Sequence, residues 1–279
     1  MTNNFSFIIP VYNEEKSIKN VIEQIKNIDS EKEIIVIDDC SNDETQKICT
    51  EINDIIYKRS LQNFGYGHSI KEGIKLSKFE NIVILDGDNT YPLEDFSKLK
   101  EKFNVGYDMV IGKRVGKNLN LSPFKGLLRS ILKIIVEFST GEKIPDINSG
   151  YRIFKKKVIE KYLNIMCDTF SFSTSMTLVY IFQKKSIAYI DIPYKNRIGK
   201  SKVKLFKDSL RTLQYISELL LYFNPLKFYL IISFILLSFF LIFLSFFGVN
   251  QPFFSISLVF LFSSIISVLF GFLSKSKNG

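Results

Sequence analysis

Two stretches towards the C-terminal end of the sequence, Phe228 to Val249 and Phe253 to Leu273, contain no Asp, Glu, Lys, Arg or His. Each holds about the twenty apolar residues that cross a hydrocarbon core of about 30 Å, at about 1.5 Å of helix rise per residue. Only a helix or a closed barrel satisfies its backbone hydrogen bonds there, so both stretches are predicted to be membrane spans rather than buried helices of a soluble core. Gly248, Asn250, Gln251 and Pro252 break the helix between them, and so short a connection predicts an antiparallel hairpin with both ends on one side. Lys204, Lys207, Arg211 and Lys227 precede the first span and Lys275 and Lys277 follow the second, whereas the connection is uncharged. The positive-inside rule then places both ends, and everything before the spans, in the cytoplasm as part of an integral membrane protein.

The rest of the chain agrees with that placement. Met1 to Asn4 carries no cationic segment, and the apolar run after it is too short for a signal-peptide core. Cys40, Cys49 and Cys167 are odd in number and lack metal-like spacing, which predicts reduced thiols. With 37 Lys and Arg against 28 Asp and Glu, the net charge of +9 suits an anionic membrane surface or phosphate-bearing ligands. No groove-reading motif accompanies the charge, so nucleic acid is not an expected partner.

From the start, short β-branched runs alternate with longer amphipathic ones. Phe5 to Ile9, Glu33 to Ile37, Ile55 to Tyr57, Asn81 to Leu85 and Met109 to Ile111 are predicted strands. Glu14 to Ile28, Asp43 to Ile52, Gly67 to Leu76 and Leu93 to Phe103 are predicted helices. This is the βαβ rhythm of a mostly parallel sheet covered on both faces, in which ligands bind beyond the carboxyl ends of the strands. Two further amphipathic segments, Phe124 to Phe138 and Leu205 to Phe223, fit either core-packing or interfacial helices.

Candidate chemistry sits where the predicted strands end. Asp86-Gly87-Asp88 delivers two hard oxygen ligands separated by one small residue, which suits Mg²⁺ or Mn²⁺ bridging to a diphosphate. The same three residues could be an acidic turn. Asp38-Asp39 offers a second carboxylate pair, before a helix capped by Ser41 or Asp43; a carboxylate there accepts from a base N–H or a ribose hydroxyl, or caps and turns the chain. Asn63-Phe64-Gly65-Tyr66-Gly67 supplies a glycine turn that lets backbone approach a ligand.

In order along the chain, Pro10-Val11-Tyr12-Asn13-Glu14, Asp38-Asp39-Cys40-Ser41-Asn42-Asp43, Asn63-Phe64-Gly65-Tyr66-Gly67, Asp86-Gly87-Asp88, Asn148-Ser149-Gly150-Tyr151-Arg152 and Arg197-Ile198-Gly199-Lys200-Ser201-Lys202 form a series. This series resembles the family 2 glycosyltransferases of GT-A fold, in the branch of dolichyl-phosphate mannose synthases and bacterial polyprenyl-phosphate glycosyltransferases. The resemblance covers roughly Phe5 to Lys202 and implies an α/β nucleotide-sugar-binding domain over residues 1–203; the apolar and amphipathic patterning predicts a juxtamembrane helix over 204–225 and a transmembrane hairpin over 226–279 after it. The resemblance also implies that Pro10, Tyr12, Asn13, Glu14 and Asp39, with Gly65, line the nucleotide pocket, and that Asp86 and Asp88 hold the metal and diphosphate. Thr90 stands where many relatives have Gln, and a hydroxyl there could also coordinate the metal. Many relatives also carry Glu soon after the Gly-x-Arg segment, whereas Phe172-Ser173-Thr174-Ser175-Met176 offers only hydroxyls.

The acceptor follows from the same resemblance and from the cations. A phosphate monoester has a second pKa of about 6, so near neutrality it is largely a dianion and needs no protein base to attack. It needs charge compensation, for which Arg114, Arg129, Arg152, Arg197, Lys200 and Lys202 are candidates; Arg114 and Arg129 match the family's lipid-phosphate binders. Asp146 could orient the sugar, act as a base or cap its loop. His68, the one histidine, is expected to pack rather than react. The expected activity is metal-dependent inverting transfer of a sugar from a nucleotide-sugar to a polyprenyl phosphate. A processive synthase fits less well, because the chain has no tryptophan for a Gln-x-x-Arg-Trp segment and only one hairpin. A noncatalytic scaffold would not need Asp86 and Asp88. Self-association is open, since a two-span hairpin buries little protein surface.

Overall fold

The computed structural model describes residues 4–116, 123–194, 205–247 and 253–277. Of the helical residues 123–129, 131, 132, 205–209, 247 and 275–277 it describes the backbone alone. The chain forms two compact units, divided between Tyr215 and Ile216.

The first unit is built on one seven-stranded sheet. Its strands are β1 (Asn4–Val11), β2 (Glu31–Asp38), β3 (Ile56–Arg59), β4 (Asn81–Ile84), β5 (Met109–Val115), β6 (Arg152–Lys155) and β7 (Ile187–Pro193), in the order β3-β2-β1-β4-β6-β5-β7. Pairing is parallel except for β6, which runs against both β4 and β5. The chain winds outward from β1 to β2 and β3, then returns to β4 on the other side of β1. The strand order reverses there, which opens a crevice at the carboxyl ends of β1 and β4. Because β6 is reversed, the segment that precedes it arrives at this same rim.

Helices cover both faces. Phe5, Phe7, Ile9 and Val11 of β1 share one core cluster with Ile18, Val21, Ile22 and Ile25 of α1 (Ile18–Lys26) and Phe96, Leu99 and Phe103 of α4 (Phe96–Asn104). Apolar residues at one- and three-to-four-residue helical spacing give α1 its buried stripe, and each fully buried large side chain contributes about 1.5–3 kcal/mol. The Phe96 ring meets Phe5 edge-on at 5.4 Å and Phe7 at 5.3 Å. Behind the sheet, α3 (Tyr66–Leu76) lies so close to β1 that a Cβ on Gly73 would stand 2.4 Å from the Ile8 side chain. The remaining elements of this unit are α2 (Thr45–Thr50), α5 (Pro123–Thr140), the single turn α6 (Lys156–Ile159), α7 (Phe172–Phe182) and the first part of α8 (Leu205–Phe223).

All five predicted strands are present, as β1 to β5. The first helix begins at Ile18 rather than Glu14, because Glu14 to Ser17 form a turn in which Ser17 and Ile18 donate their amides to the Glu14 carbonyl. The helix predicted over Asp43 to Ile52 is shorter, with Asp43 outside it accepting from the Thr45 amide at 3.0 Å. Strands β6 and β7 and helix α7 are additions to the predicted elements.

The second unit holds the rest of α8 and the antiparallel helices α9 (Pro225–Phe247) and α10 (Phe253–Lys277). Pro225 to Phe246 and Phe253 to Ser274 are long and apolar enough to cross a membrane, with mean hydropathy 2.6 and 2.5. They pack through the Ser233 and Ser264 hydroxyls, 2.8 Å apart, and through Gly271, where a Cβ would lie 3.1 Å from Tyr229. Large side chains such as Phe234 and Phe246 remain exposed, as a lipid-facing surface requires. The residues predicted to break the hairpin, Gly248, Asn250, Gln251 and Pro252, lie outside the described residues.

Candidate active site

The exits of β1 and β2 are stitched together by side chains that satisfy backbone donors. The Asn13 amide donates to Ser41 Oγ at 2.9 Å, the Asn42 amide to Asn13 Oδ1 at 2.7 Å, and the Glu14 amide to Thr45 Oγ1 at 2.9 Å. Asn13 itself adopts a left-handed conformation, φ 54°, which asparagine tolerates better than most residues. Pro10, paired with Ile37 in the sheet, and buried Glu14 are thereby fixed on either side of Tyr12.

The two acidic residues after β2 have separate roles. Asp38 is fully buried and accepts from the Ser41 amide and the Tyr57 hydroxyl, both at 2.8 Å, which makes it structural. Asp39 turns the other way and receives the amides of Phe64 and Gly65 at 2.8 Å each. Burial pushes its carboxyl above the ordinary value, and the two amides pull against that shift. Gly65 has φ 112°, and a Cβ there would stand 2.6 Å from the Asp168 carbonyl oxygen, so only glycine fits the turn.

Beyond β4, the Asp86-Gly87-Asp88 turn is held from both sides. Ser17 Oγ donates to the Gly87 carbonyl at 2.7 Å, and a Cβ on Gly87 would come within 2.8 Å of Val11. Thr90 is fully buried, and its hydroxyl and amide both donate to Asp88 Oδ1, at 2.6 and 3.1 Å. Asp86 faces Gly150, which leads into β6: a Cβ on Gly150 would lie 2.8 Å from Asp86 Oδ1 and 2.9 Å from the Tyr66 hydroxyl. The Gly150 amide donates to the Tyr91 hydroxyl at 2.8 Å. Burial and the neighbouring Asp86 charge hold the Tyr66 and Tyr91 phenols above their ordinary value, so both stay protonated.

Beside this acidic turn lies a largely buried ion pair. Arg114 of β5 meets Asp146 through Nε to Oδ2 and Nη2 to Oδ1, both at 2.8 Å, the planar fork that a carboxylate matches. Burial works to raise the Asp146 carboxyl, but the hydrogen bonds and charge of Arg114 outweigh it and hold it below the ordinary value. The Tyr194 ring lies 5.6 Å from the Arg114 guanidinium, and its hydroxyl is hydrogen-bonded to Thr90. Tyr194 therefore spans from the ion pair to the residue that holds Asp88.

Comparison with known proteins assigns the fold and the chemistry. Residues 6–163 match the model of glycosyl transferase family 2. The chain belongs to this family. It is 25% identical over 205 residues to the dolichyl-phosphate hexose transferase of Haloferax volcanii, covering 73% of this chain and 88% of that one. It is 29% identical over 214 residues to the undecaprenyl-phosphate 4-deoxy-4-formamido-L-arabinose transferase of Pectobacterium atrosepticum, covering 73% of this chain and 64%, less than two thirds, of the relative. The glucosyl-3-phosphoglycerate synthase of Mycobacterium tuberculosis, solved with phosphoglyceric acid, superposes with a TM-score of 0.60 at 18% identity, over 78% of this chain and 79% of that one. The same synthase has been solved with Mn²⁺, uridine-diphosphate-glucose and phosphoglyceric acid. At such identity the likeness establishes the GT-A-type fold, and the family membership makes the chain a glycosyltransferase.

Several candidate residues of this glycosyltransferase occupy places that the sequence does not reveal. Arg152 is the clearest correction: it is 1% exposed, and its Nε, Nη1 and Nη2 donate to the Ser149 carbonyl, Thr177 Oγ1 and the Ile147 carbonyl at 2.7, 2.7 and 2.8 Å. It supports the Asp146 to Gly150 loop from inside the protein, where a lipid phosphate does not reach. Thr90 stands behind Asp88 as a donor rather than beside it as an open ligand. The hydroxyls of Ser173, Thr174 and Ser175 are buried, and Thr174 donates to Asn148 Oδ1 at 2.8 Å. Arg197, Lys200 and Lys202 lie outside the described residues, as does the side chain of Arg129 on α5. His68 stacks on Phe64 with ring centroids 4.6 Å apart and donates its amide to Asp168. Burial lifts the Cys49 thiol to about 12, which leaves it inert. Tyr66, Tyr91 and Tyr194 were not singled out from the sequence as site residues, although Tyr66 lies within the Asn63 to Gly67 motif and Tyr91 stands three residues after the acidic turn.

Proposed function

We propose that this glycosyltransferase moves a sugar from a nucleoside-diphosphate sugar to a polyprenyl phosphate at a membrane surface, in one inverting step. The observation that carries the reading is the juxtaposition, through Tyr91 and Tyr194, of an acidic turn suited to a cation and diphosphate with a partly exposed arginine suited to a second phosphate. The named activities of the Haloferax and Pectobacterium relatives support a polyprenyl-phosphate acceptor. The two long apolar helices support membrane anchoring, and the placement of Arg211 and Lys227 supports a cytoplasmic catalytic domain over residues 1–203, followed by a juxtamembrane helix over 204–225 and the hairpin over 226–279.

In this reading Tyr12, Glu14 and Asp39 bind the nucleoside, Asp39 accepting from a base or ribose donor while its own amides hold it in place. Asp86 and Asp88 fit Mg²⁺ or Mn²⁺: both are hard oxygen donors, and Gly150 leaves in front of Asp86 the space that any side chain would fill. Among the described residues no third acidic, His or Cys side chain completes a cluster, which matches a cation that takes its other ligands from diphosphate and water. Such a cation neutralises charge on the departing nucleoside diphosphate. Asp146 holds Arg114 in orientation; a guanidinium has five N–H donors, so the fork to Asp146 leaves capacity for a phosphate. The acceptor's own dianion attacks, and Asp146, kept ionised and paired, is not needed as a base.

The test is product formation by the full chain in detergent with undecaprenyl or dolichyl phosphate, Mg²⁺ or Mn²⁺ and a panel of labelled nucleotide-sugars. Label extracted into chloroform by at least one donor, and lost in Asp88→Ala, is the expected result. Label confined to water-soluble product overturns the lipid acceptor. Full activity in Asp88→Ala overturns the cation site.

A further inference from the structure

Tyr66 is the residue at this rim whose chemistry the reading above leaves unused. Its ring is half-buried and stacks on Phe170 with centroids 5.8 Å apart, while its hydroxyl is completely buried. That hydroxyl faces the Asp86 carboxylate, whose charge and hydrogen bonding add to burial in keeping the phenol protonated. The space beside both groups is the one a Gly150 Cβ would fill.

The backbone around Tyr66 is fixed on both sides. On one side, the Phe64 and Gly65 amides are spent on Asp39. On the other, a Cβ on Gly67 would stand 2.2 Å from the Cys167 carbonyl oxygen, and the His68 amide donates to the Asp168 carbonyl. Lys71, one turn further along α3, fastens the same segment by donating to the Met166 carbonyl at 2.6 Å and Asp168 Oδ1 at 2.7 Å. The phenol is therefore held firmly against one neighbour, the Asp86 carboxylate.

We infer that Tyr66 is a positioning residue for the divalent cation: its buried hydroxyl donates to Asp86 when that carboxylate engages the metal, fixing which oxygen faces the ion. The inference rests on the assignment of the cation to Asp86 and Asp88. It also joins the two halves of donor recognition, because the three-residue segment Phe64 to Tyr66 touches Asp39 at one end and Asp86 at the other. Outer partners of metal ligands set ligand orientation, and their loss typically weakens metal affinity by about 10- to 100-fold.

The experiment is titration of the full chain in detergent with Mn²⁺ alone, followed by the paramagnetic resonance signal of free Mn²⁺, for wild type, Tyr66→Phe and Asp88→Ala. Thermal melting without metal is recorded in parallel. Tyr66→Phe keeps the ring and its stacking and removes only the hydroxyl. The expected result is Mn²⁺ affinity about tenfold weaker in Tyr66→Phe, in a protein that still melts cooperatively without metal, and no Mn²⁺ binding in Asp88→Ala. Mn²⁺ affinity of Tyr66→Phe within twofold of wild type, whatever its metal-free melting temperature, makes the hydroxyl no more than structural and overturns the inference. Wild-type Mn²⁺ binding in Asp88→Ala overturns the cation assignment itself, and Tyr66's part with it.

Discussion

Thr90 Oγ1 donates to Asp88 Oδ1 at 2.6 Å while the Thr90 amide reaches the same oxygen at 3.1 Å, so one residue fixes one carboxylate atom twice. The orientation of the whole Asp88 carboxylate is thereby fixed. Where a carboxylate ligates a cation, a partner that orients it in this way typically changes the affinity by about 10- to 100-fold.

Replacing Thr90 by Val keeps the shape and the amide bond but removes the hydroxyl. Mn²⁺ affinity is expected to fall by about 10-fold or more, with a loss of stability of about 1–3 kcal/mol from the unmet buried carboxylate. Metal titration and chemical denaturation of the same sample separate the two effects.

The Arg114–Asp146 pair is largely buried on both sides, with 15% and 13% of the side chains exposed. Removing one partner strands a buried charge, so Arg114→Met and Asp146→Ala should each cost about 3 kcal/mol. Arg114→Lys keeps the charge but loses the fork, and should raise the KM for the lipid phosphate much more than the KM for the nucleotide-sugar. Equal effects on both would remove Arg114 from the acceptor side.

The pair also fixes a pH dependence. Asp146 has a depressed carboxyl in the folded state, so its contribution to stability is present above the unfolded carboxylate value of about 3.9 and is lost only as pH falls through the still lower folded value. Between pH 8 and 5 the pair is intact. Activity in that window should fall with protonation of the acceptor, whose pKa is about 6, and the profile of kcat/KM for the lipid phosphate measures it. An Asp146→Asn profile with the same midpoint is expected; a midpoint that moves would make Asp146 the titrating base.

Arg152 gives the opposite prediction to a surface cation. Arg152→Met leaves the Ser149 and Ile147 carbonyls without their charged donor, and should destabilise by about 3 kcal/mol or more. The salt dependence of vesicle binding should not change. Thermal melting and liposome co-sedimentation distinguish the two.

The parallel half of the fold was legible because Phe5 to Ile9, Glu33 to Ile37 and Asn81 to Leu85 are buried runs whose polar residues cluster where the strands end. Asp39 and Asp86 stood out for the same reason. β6 was not legible: it spans only Arg152–Lys155, begins inside a turn and runs backwards, so no rhythm announces it. Helix α7 is buried on nearly every side, which leaves no polar stripe to give a helical period. Arginine at 152 looked like arginine at 114, since residue type alone does not tell a fully buried support from a partly exposed cation. The tyrosines escaped notice because aromatic residues abound in this chain, 13 of them Tyr, and only their hydroxyl partners mark them out.

The reversed strand β6 pairs Arg152 with Ile84 of β4 and Ile111 of β5. The distance from the acidic turn to the Asp146 to Gly150 loop is therefore set by strand alignment and not by the connecting segments. Lengthening a loop elsewhere leaves it untouched, whereas a slip of one residue would turn every β6 side chain to the opposite face. The geometry of this rim is quantised: it can be kept or lost, but it cannot drift.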